Sequence, residues 1–216
     1  MRPLPVRGDR EYHSGGMGVP QATAGARQSA RERILDTAYE LFSRHGTRAV
    51  GVDRIIAQCG IATMTLYRNF PSKDDLILAF LERRDELWTR AWLQAEAQRR
   101  GASPAERLLA IFDTFEGWFA RADFEGCSFI NVMLEVTDLD NPVRLATVHH
   151  LESIRGFVRG LAEEAGIQDP DGFARQWHIL MKGSIVSAAE GDLEAASRAK
   201  QMGALLLEHH GVATAA

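Results

Sequence analysis

Between Thr47 and Phe80 the chain carries apolar residues at helical spacing, interrupted twice by turn chemistry, and no other stretch restricts the fold as strongly. Val52, Ile55, Ile56 and Cys59 fall on one face of a helix over 52–59, and Gly60 can supply the positive φ that a sharp turn needs. Leu66 and Phe70 set a second short helix, 63–69, against the first, and a third helix begins near Ser72. Two short helices joined by a tight turn read as a helix-turn-helix. The outward face of the second helix carries Thr63, Thr65, Arg68 and Asn69, with Met64 beside them, and short polar or cationic groups of this kind can meet a major groove.

The net charge of −4 runs against nucleic-acid contact until it is divided along the chain. Residues 1–75 hold 11 Lys and Arg against 8 Asp and Glu, whereas residues 76–216 hold 14 against 21, so a head of +3 sits on a body of −7. That split suits a protein that touches phosphates through its head alone. No run approaches the roughly 18 apolar residues of a membrane span, and the amino terminus has no apolar signal core, so a cytoplasmic protein without a membrane partner is expected. Cys59 lies on an apolar stripe and Cys127 at a helix entrance; two such cysteines suggest neither a disulfide framework nor a metal site.

The expected fold class is all-α, with nine helices. Residues 1–27 hold Pro3, Pro5 and Pro20, five glycines and no apolar period, which reads as a disordered arm whose Arg2, Arg7, Arg10 and Arg27 are either an untethered tail or a reach towards a phosphate or minor groove. Ser29-Ala-Arg-Glu32 has capping-box spacing, Ile34, Leu35, Ala38, Leu41 and Phe42 form a buried stripe, and Gly46 can close this first helix over 28–45. Fresh starts follow at Ser72-Lys-Asp-Asp75, Ser103-Pro-Ala-Glu106, Asn141-Pro142 and Asp169-Pro170. They place helices near 72–100, 104–122, 127–138, 142–165, 170–190 and 192–210, and no segment has the sustained period-two alternation of a sheet. The division expected is an arm over 1–27, a helix-turn-helix domain over 28–75, and a ligand-binding and dimerisation domain over 76–216.

The residues Gly60-Ile-Ala-Thr-Met-Thr-Leu-Tyr-Arg-Asn-Phe-Pro-Ser-Lys-Asp-Asp-Leu76, after Arg33-Ile-Leu-Asp-Thr-Ala38, Leu41-Phe42 and Gly46, closely resemble the TetR family of bacterial transcriptional repressors. A weaker likeness covers Gly126-Cys-Ser-Phe-Ile-Asn131, Glu135 and the small residues near 183–190. The resemblance implies a homodimer formed by the last two helices, an inducer pocket in the body, DNA contacts from Thr65 and Tyr67, and a phosphate contact from Lys73. A Tyr67 hydroxyl can donate to phosphate, the alternative being a half-buried ring that packs the helix. Arg68 occupies the most variable position of the motif and is the choice for reading sequence, either bidentate to guanine or on a phosphate. Three residues depart from the family pattern: Gly51 stands for a common Thr, Ala62 for a Ser cap, a loss of roughly 1 kcal/mol unless Thr63 caps one residue later, and Asn69 for a common His.

In the body, Phe112, Phe115, Trp118, Phe119, Phe129, Met133, Trp177 and Met181 make a heavy aromatic and Met load, each residue being core or pocket lining and the group favouring an apolar or aromatic ligand. Polar candidates to orient it are Asn131, Glu135, His149, His150 and His178, with Glu135 and His149 placed in the pocket. Adjacent helical residues point about 100° apart, so only one of His149 and His150 can face inward, and no i,i+4 His pair supports a metal. No cofactor is expected. Gly183, Ser184, Ser187 and Ala188 on one helix, with Ala199, Met202, Leu205 and Leu206 on the next, suit an isologous dimer interface, the alternative being packing within the chain. The function expected is a ligand-responsive repressor on a palindromic operator, released by a small apolar or aromatic inducer. The alternatives are a helical protein-interaction module and an all-α enzyme using His149, His150 and Glu135, for which no nucleophile–base spacing is present.

Overall fold

Each start signal caps a helix. In this computed structural model, which describes residues 28–213, the Ser72 and Ser103 hydroxyls accept the N–H of Asp75 and Glu106, and those carboxylates accept the serine N–H in return. Asn141 Oδ1 accepts from the Val143 N–H at 2.8 Å and Asp169 Oδ1 from the Gly172 N–H at 2.9 Å, each just before a proline whose fixed φ suits a first helical turn. Ser29 accepts from the Glu32 N–H, but Glu32 does not complete the box and lies 3.9 Å from Arg83 instead. The amino-terminal arm and its arginines fall outside the described residues.

Nine helices and no strand occur among the described residues. They are α1 (Ala30–His45), α2 (Val52–Cys59), α3 (Thr63–Asn69), α4, α5 (Pro104–Phe119), α6 (Ser128–Glu135), α7 (Pro142–Glu164), α8 (Pro170–Glu190) and α9 (Ala195–His209). Helix α4 is continuous but not uniform: it is α-helical over Lys73–Arg84, π-wound over Asp85–Gln94, and α-helical again over Ala95–Arg100. The widened turns carry Asp85, Trp88, Thr89 and Leu93 inward, where all four are buried.

Three ends differ from the sequence reading, two at a carboxyl end and one at an amino end. Helix α6 stops at Glu135 rather than 138, since the Arg144 guanidinium of α7 donates to the Met133 and Val136 carbonyls. Helix α5 stops at Phe119, and Arg121 turns to pair with Asp123 at 2.7 Å. Helix α9 begins at Ala195 because Asp192 accepts the Glu194 N–H and pairs with Arg198, holding the turn after Gly191.

Helix α1 is the cradle for the helix-turn-helix. Its Ile34, Leu35, Ala38, Leu41 and Phe42 are buried against Ile55 and Leu66, and the Arg33 guanidinium donates to the Cys59 carbonyl at 3.0 Å. Tyr39 and Phe42 each meet Phe80 of α4 edge-on with ring centroids 5.5 Å apart, and Arg83 of α4 pairs with Asp36. Val52 and Ile56, expected in the core stripe of α2, are only half-buried. The remaining core is one apolar cluster continuous from α1 to α9, so α4 shares side-chain packing with both α1 and α7.

Candidate nucleic-acid interface and ligand cavity

The turn before α3 is closed by Gly60 at φ +65, ψ +42, whose N–H donates to the Ile56 carbonyl. Leu66 and Phe70 are buried behind α3, and the Arg31 guanidinium covers Phe70 from outside at 4.8 Å. What remains outward is Thr63, Met64, Tyr67 and Arg68, all exposed, with Thr65 half-buried at the edge. Tyr67 is 43% exposed and meets no other aromatic ring among the described residues. Lys73 opens α4 a short distance along the chain and makes no ion pair among the described residues.

One expectation for this face, a cap from Thr63, is corrected. Thr63 is the first residue of α3 and not its cap; the cap is Ala62, which has no side-chain acceptor, so the α3 entrance keeps its N–H groups free of side-chain partners, as does α2 behind Gly51. Asn69 is turned back on its own helix, with Nδ2 donating to the Thr65 carbonyl at 2.8 Å, so its remaining capacity is one N–H and the amide oxygen.

A small, narrow cavity with room for about one water lies in the body where α4, α5, α6, α7 and α8 meet. Its wall includes Trp88, Phe115, Cys127, Ile130, Leu151, Ile154, His178, Met181, Lys182 and Ile185. Of the aromatic and Met residues expected to line a pocket, only Phe115 and Met181 do so. Phe112, Trp118, Phe119, Phe129 and Trp177 are spent on packing: Trp118 joins Trp88 at 5.0 Å and Phe124 at 4.9 Å, and Trp177 joins Phe112 and Phe173 at 5.3 Å. Met133 is half-buried against the core and does not line the cavity.

The polar candidates separate in the same way. His149 is exposed on α7, a correction, whereas His150 turns inward, stacks on Phe129 at 5.1 Å and lies 3.8 Å from Asp85. Burial holds the His150 pKa below its usual value against the opposing pull of Asp85 and Glu82. Asn131 is exposed and donates to the Glu125 carbonyl at 3.3 Å. Glu135 is also corrected: its carboxylate accepts from the Thr47 N–H and the Arg48 N–H at 3.0 Å each, and from the Thr47 hydroxyl, so it ties α6 to the loop between α1 and α2 and does not line the cavity. His178 does line it, and burial, with the charges of Lys182 and Arg155, pushes its pKa down to about 3. Trp88, Cys127, Ile130 and Lys182 escaped the sequence reading of the pocket. The π-wound segment of α4 shifts the helical phase at Trp88, and Lys182 reads as one more surface lysine unless its i,i+4 relation to His178 is noticed.

On the far side, α8 and α9 present Ile179, Val186, Met202 and Leu205 to solvent at 67%, 49%, 56% and 65% exposure, with Gly183 among them. Ser187, Ala188 and Leu206 are half-buried beside this face. Ser184 is not part of it: the side chain is buried and donates to the Met181 carbonyl at 2.8 Å. Ala199 is likewise turned into the core.

A three-helix reader with a bare polar face, set on an all-helical body with an internal cavity, defines a helix-turn-helix transcriptional regulator. The chain matches the family described as "Bacterial regulatory proteins, tetR family" over residues 34–80 and "Tetracyclin repressor-like, C-terminal domain" over 104–202. Among solved structures, SCO4454, a TetR-family transcriptional regulator from Streptomyces coelicolor, is 30% identical, with 83% of this chain and 95% of that one covered at a TM-score of 0.76. A TetR-type regulator from Streptomyces avermitilis is 30% identical over 86% of this chain and all of that one, at a TM-score of 0.77. Among curated relatives, UidR of Escherichia coli K12 is 39% identical over 108 residues, 50% of this chain and 41% of that protein. KstR of Rhodococcus jostii, an HTH-type transcriptional repressor, is 36% identical over 70 residues, 32% of this chain and 33% of KstR. The matched stretch thus spans less than half the length of these curated relatives. The chain belongs to the TetR family and is a helix-turn-helix transcriptional regulator, not an enzyme. No helix among the described residues is long and apolar enough to cross a membrane.

Proposed function

We propose that this regulator is a repressor that grips a palindromic operator as a homodimer and lets go when a small, largely apolar ligand enters its body. The observation that carries the reading is the contrast on α3, where Leu66 is fully buried while Thr63, Met64, Tyr67 and Arg68 are bare and have no side-chain partner among the described residues. A helix held this rigidly from behind fits a major groove, with Thr65 and Arg68 at base edges, and Tyr67, Asn69 and Lys73 on phosphates. One such head makes few phosphate contacts, and the apolar face of α8 and α9 supports pairing of two chains through a four-helix interface that includes Gly183, Ser187, Ala188, Met202, Leu205 and Leu206. The repressor sign is supported by the name of the KstR relative.

Residues 28–75 act as the reader and 76–216 as the ligand-binding and dimerisation part, with α4 crossing between them. A ligand that binds better to the state in which the two heads are wrongly spaced lowers operator affinity by that difference. Selection of bound fragments from a random DNA pool tests the core of this reading. The expected outcome is an inverted repeat with half-sites one helical turn apart or a multiple of it, bound with steep salt dependence. Failure to enrich any sequence, with association indifferent to salt, refutes it.

A further inference from the structure

Phe70 closes α3 and is 2% exposed, yet one face of its ring is covered by a charge and not by core: the Arg31 guanidinium, from the first turn of α1, stands 4.8 Å from the ring centroid. Phe70 lies between the last residues of the outward-facing helix, Arg68 and Asn69, and the entrance of α4 at Ser72 and Lys73. The stacking therefore sets a cation of α1 at the junction of α3 and α4. Three residues of chain span at most about 11 Å, so Phe70 keeps Arg31 and Lys73 on one small patch. Arg31 is exposed and pairs with no carboxylate among the described residues. Neighbouring acids are engaged elsewhere: Glu32 and Asp36 face Arg83, and Asp75 accepts the Ser72 N–H at 2.9 Å. A ring takes up one face of a guanidinium and none of its in-plane N–H groups, so the stacking fixes Arg31 while its fork of donors stays open to an oxyanion.

Resting on the reading that α3 enters a major groove, we propose that Arg31 is a further DNA-contact residue: stacked on Phe70, its guanidinium holds the backbone phosphate beside the one met by Lys73. Phe70 is the positioning residue of this contact. The contact reads no base; it fixes the register of α3 and adds affinity for any duplex. A guanidinium already stacked has less side-chain freedom to lose on binding than an ammonium on a free stem, which favours Arg over Lys at this position.

The test is a set of anisotropy titrations of the full-length protein across salt concentrations, on a duplex recovered by selection from a random pool and on its scrambled counterpart. Wild type is compared with Arg31→Gln, Arg31→Lys and Phe70→Leu, each confirmed as folded by circular dichroism at the titration temperature. Arg31→Gln is expected to weaken both duplexes by the same factor, roughly threefold or more per head, and to shallow the slope of log affinity against log salt by about 0.9 per head. Arg31→Lys should keep the wild-type slope and lose part of the affinity, because an ammonium retains the charge without the stacked fork. Phe70→Leu keeps an apolar side chain in the core and Arg31 itself, and should likewise lose affinity at an unchanged slope. A wild-type slope in Arg31→Gln, with only the melting temperature lowered, shows that Arg31 merely seals the ring and overturns the contact. A loss confined to the selected duplex overturns it too, since a phosphate contact is indifferent to sequence. Wild-type affinity in Phe70→Leu overturns the positioning role of the ring. If wild type binds neither duplex, the major-groove reading falls and the contact with it; if wild type binds with steep salt dependence and Arg31→Gln matches it, the reader stands and Arg31 alone is removed from it.

Discussion

Glu135 and Thr47, 88 residues apart, are joined where the last residue of α6 meets the loop that follows α1: one carboxylate oxygen accepts both the backbone N–H and the hydroxyl of Thr47. The adjoining Arg48 N–H donates to the same oxygen, and Thr47 is 3% exposed. Gly46 completes the joint, because its φ of +76 favours glycine and a Cβ there would stand 2.4 Å from Glu135 Oε1. Ile130, on the same helix as Glu135, lines the cavity, so the joint is a hydrogen-bonded link from the cavity wall to the reader.

Glu135→Ala strands the buried Thr47 donors and is expected to cost about 1–3 kcal/mol of stability. Urea unfolding measures it, and a loss below about 0.5 kcal/mol would show the joint to be incidental. Gly46→Ala is expected to destabilise by roughly 1–3 kcal/mol through its backbone conformation, with part of the cost relieved in the Glu135→Ala background, since the clash is with that carboxylate.

On the reader, Arg68→Ala removes an exposed side chain with no partner among the described residues. The melting temperature should stay put while operator affinity falls by about 1–3 kcal/mol per half-site and discrimination at one base position relaxes. Lys73→Ala should weaken all sequences alike and shallow the salt dependence by about one counterion per head. Gel-shift titrations across salt concentrations separate these two signatures.

Leu205→Asp places a charge in the middle of the bare face of α8 and α9. Sedimentation should then report a monomer of intact helicity, with operator binding reduced towards the level of a single head. A dimer that persists would place the interface elsewhere.

The His178 pKa is depressed when folded, to about 3, against an ordinary value of 6.5. The unfolded chain therefore binds the extra proton between those values, and the stability that His178 contributes above pH 6.5 is lost as pH falls towards 3. The limiting slope from one such proton is about 1.4 kcal/mol per pH unit. His178→Gln should flatten that part of the stability–pH curve relative to wild type in denaturant titrations at pH 4, 5, 6 and 7.

Gly203 on α9 faces Trp177 so closely that an added Cβ would lie 2.8 Å from its Cη2 and 3.2 Å from Phe112 Cε2. Gly203→Ala should cost about 1–3 kcal/mol by overpacking, despite the higher helix propensity of alanine. Thermal denaturation decides between the two effects.

Local chemistry was legible from residue order because caps, prolines and glycines act within a few residues of themselves. Ser72, Ser103, Asn141 and Asp169 start helices wherever the chain travels, and Gly60 turns the reader in any context. The buried stripe of α1 and the bare polar side of α3 follow from a 3.6-residue period for the same reason. The cavity and the Glu135 joint were not legible, since both are made by contacts between residues far apart in the chain. A carboxylate at 135 carries no mark of whether it faces a ligand or a backbone N–H at 47. The π-wound turns of α4 rotate Trp88 out of the phase an ordinary helix predicts, and the aromatic residues of α5 became core because Trp118 and Phe112 found other rings. Sequence thus determined where helices begin and which side of α3 stays bare, while tertiary packing decided which polar groups are left without partners, because desolvation depends on every neighbour in space and not on neighbours along the chain.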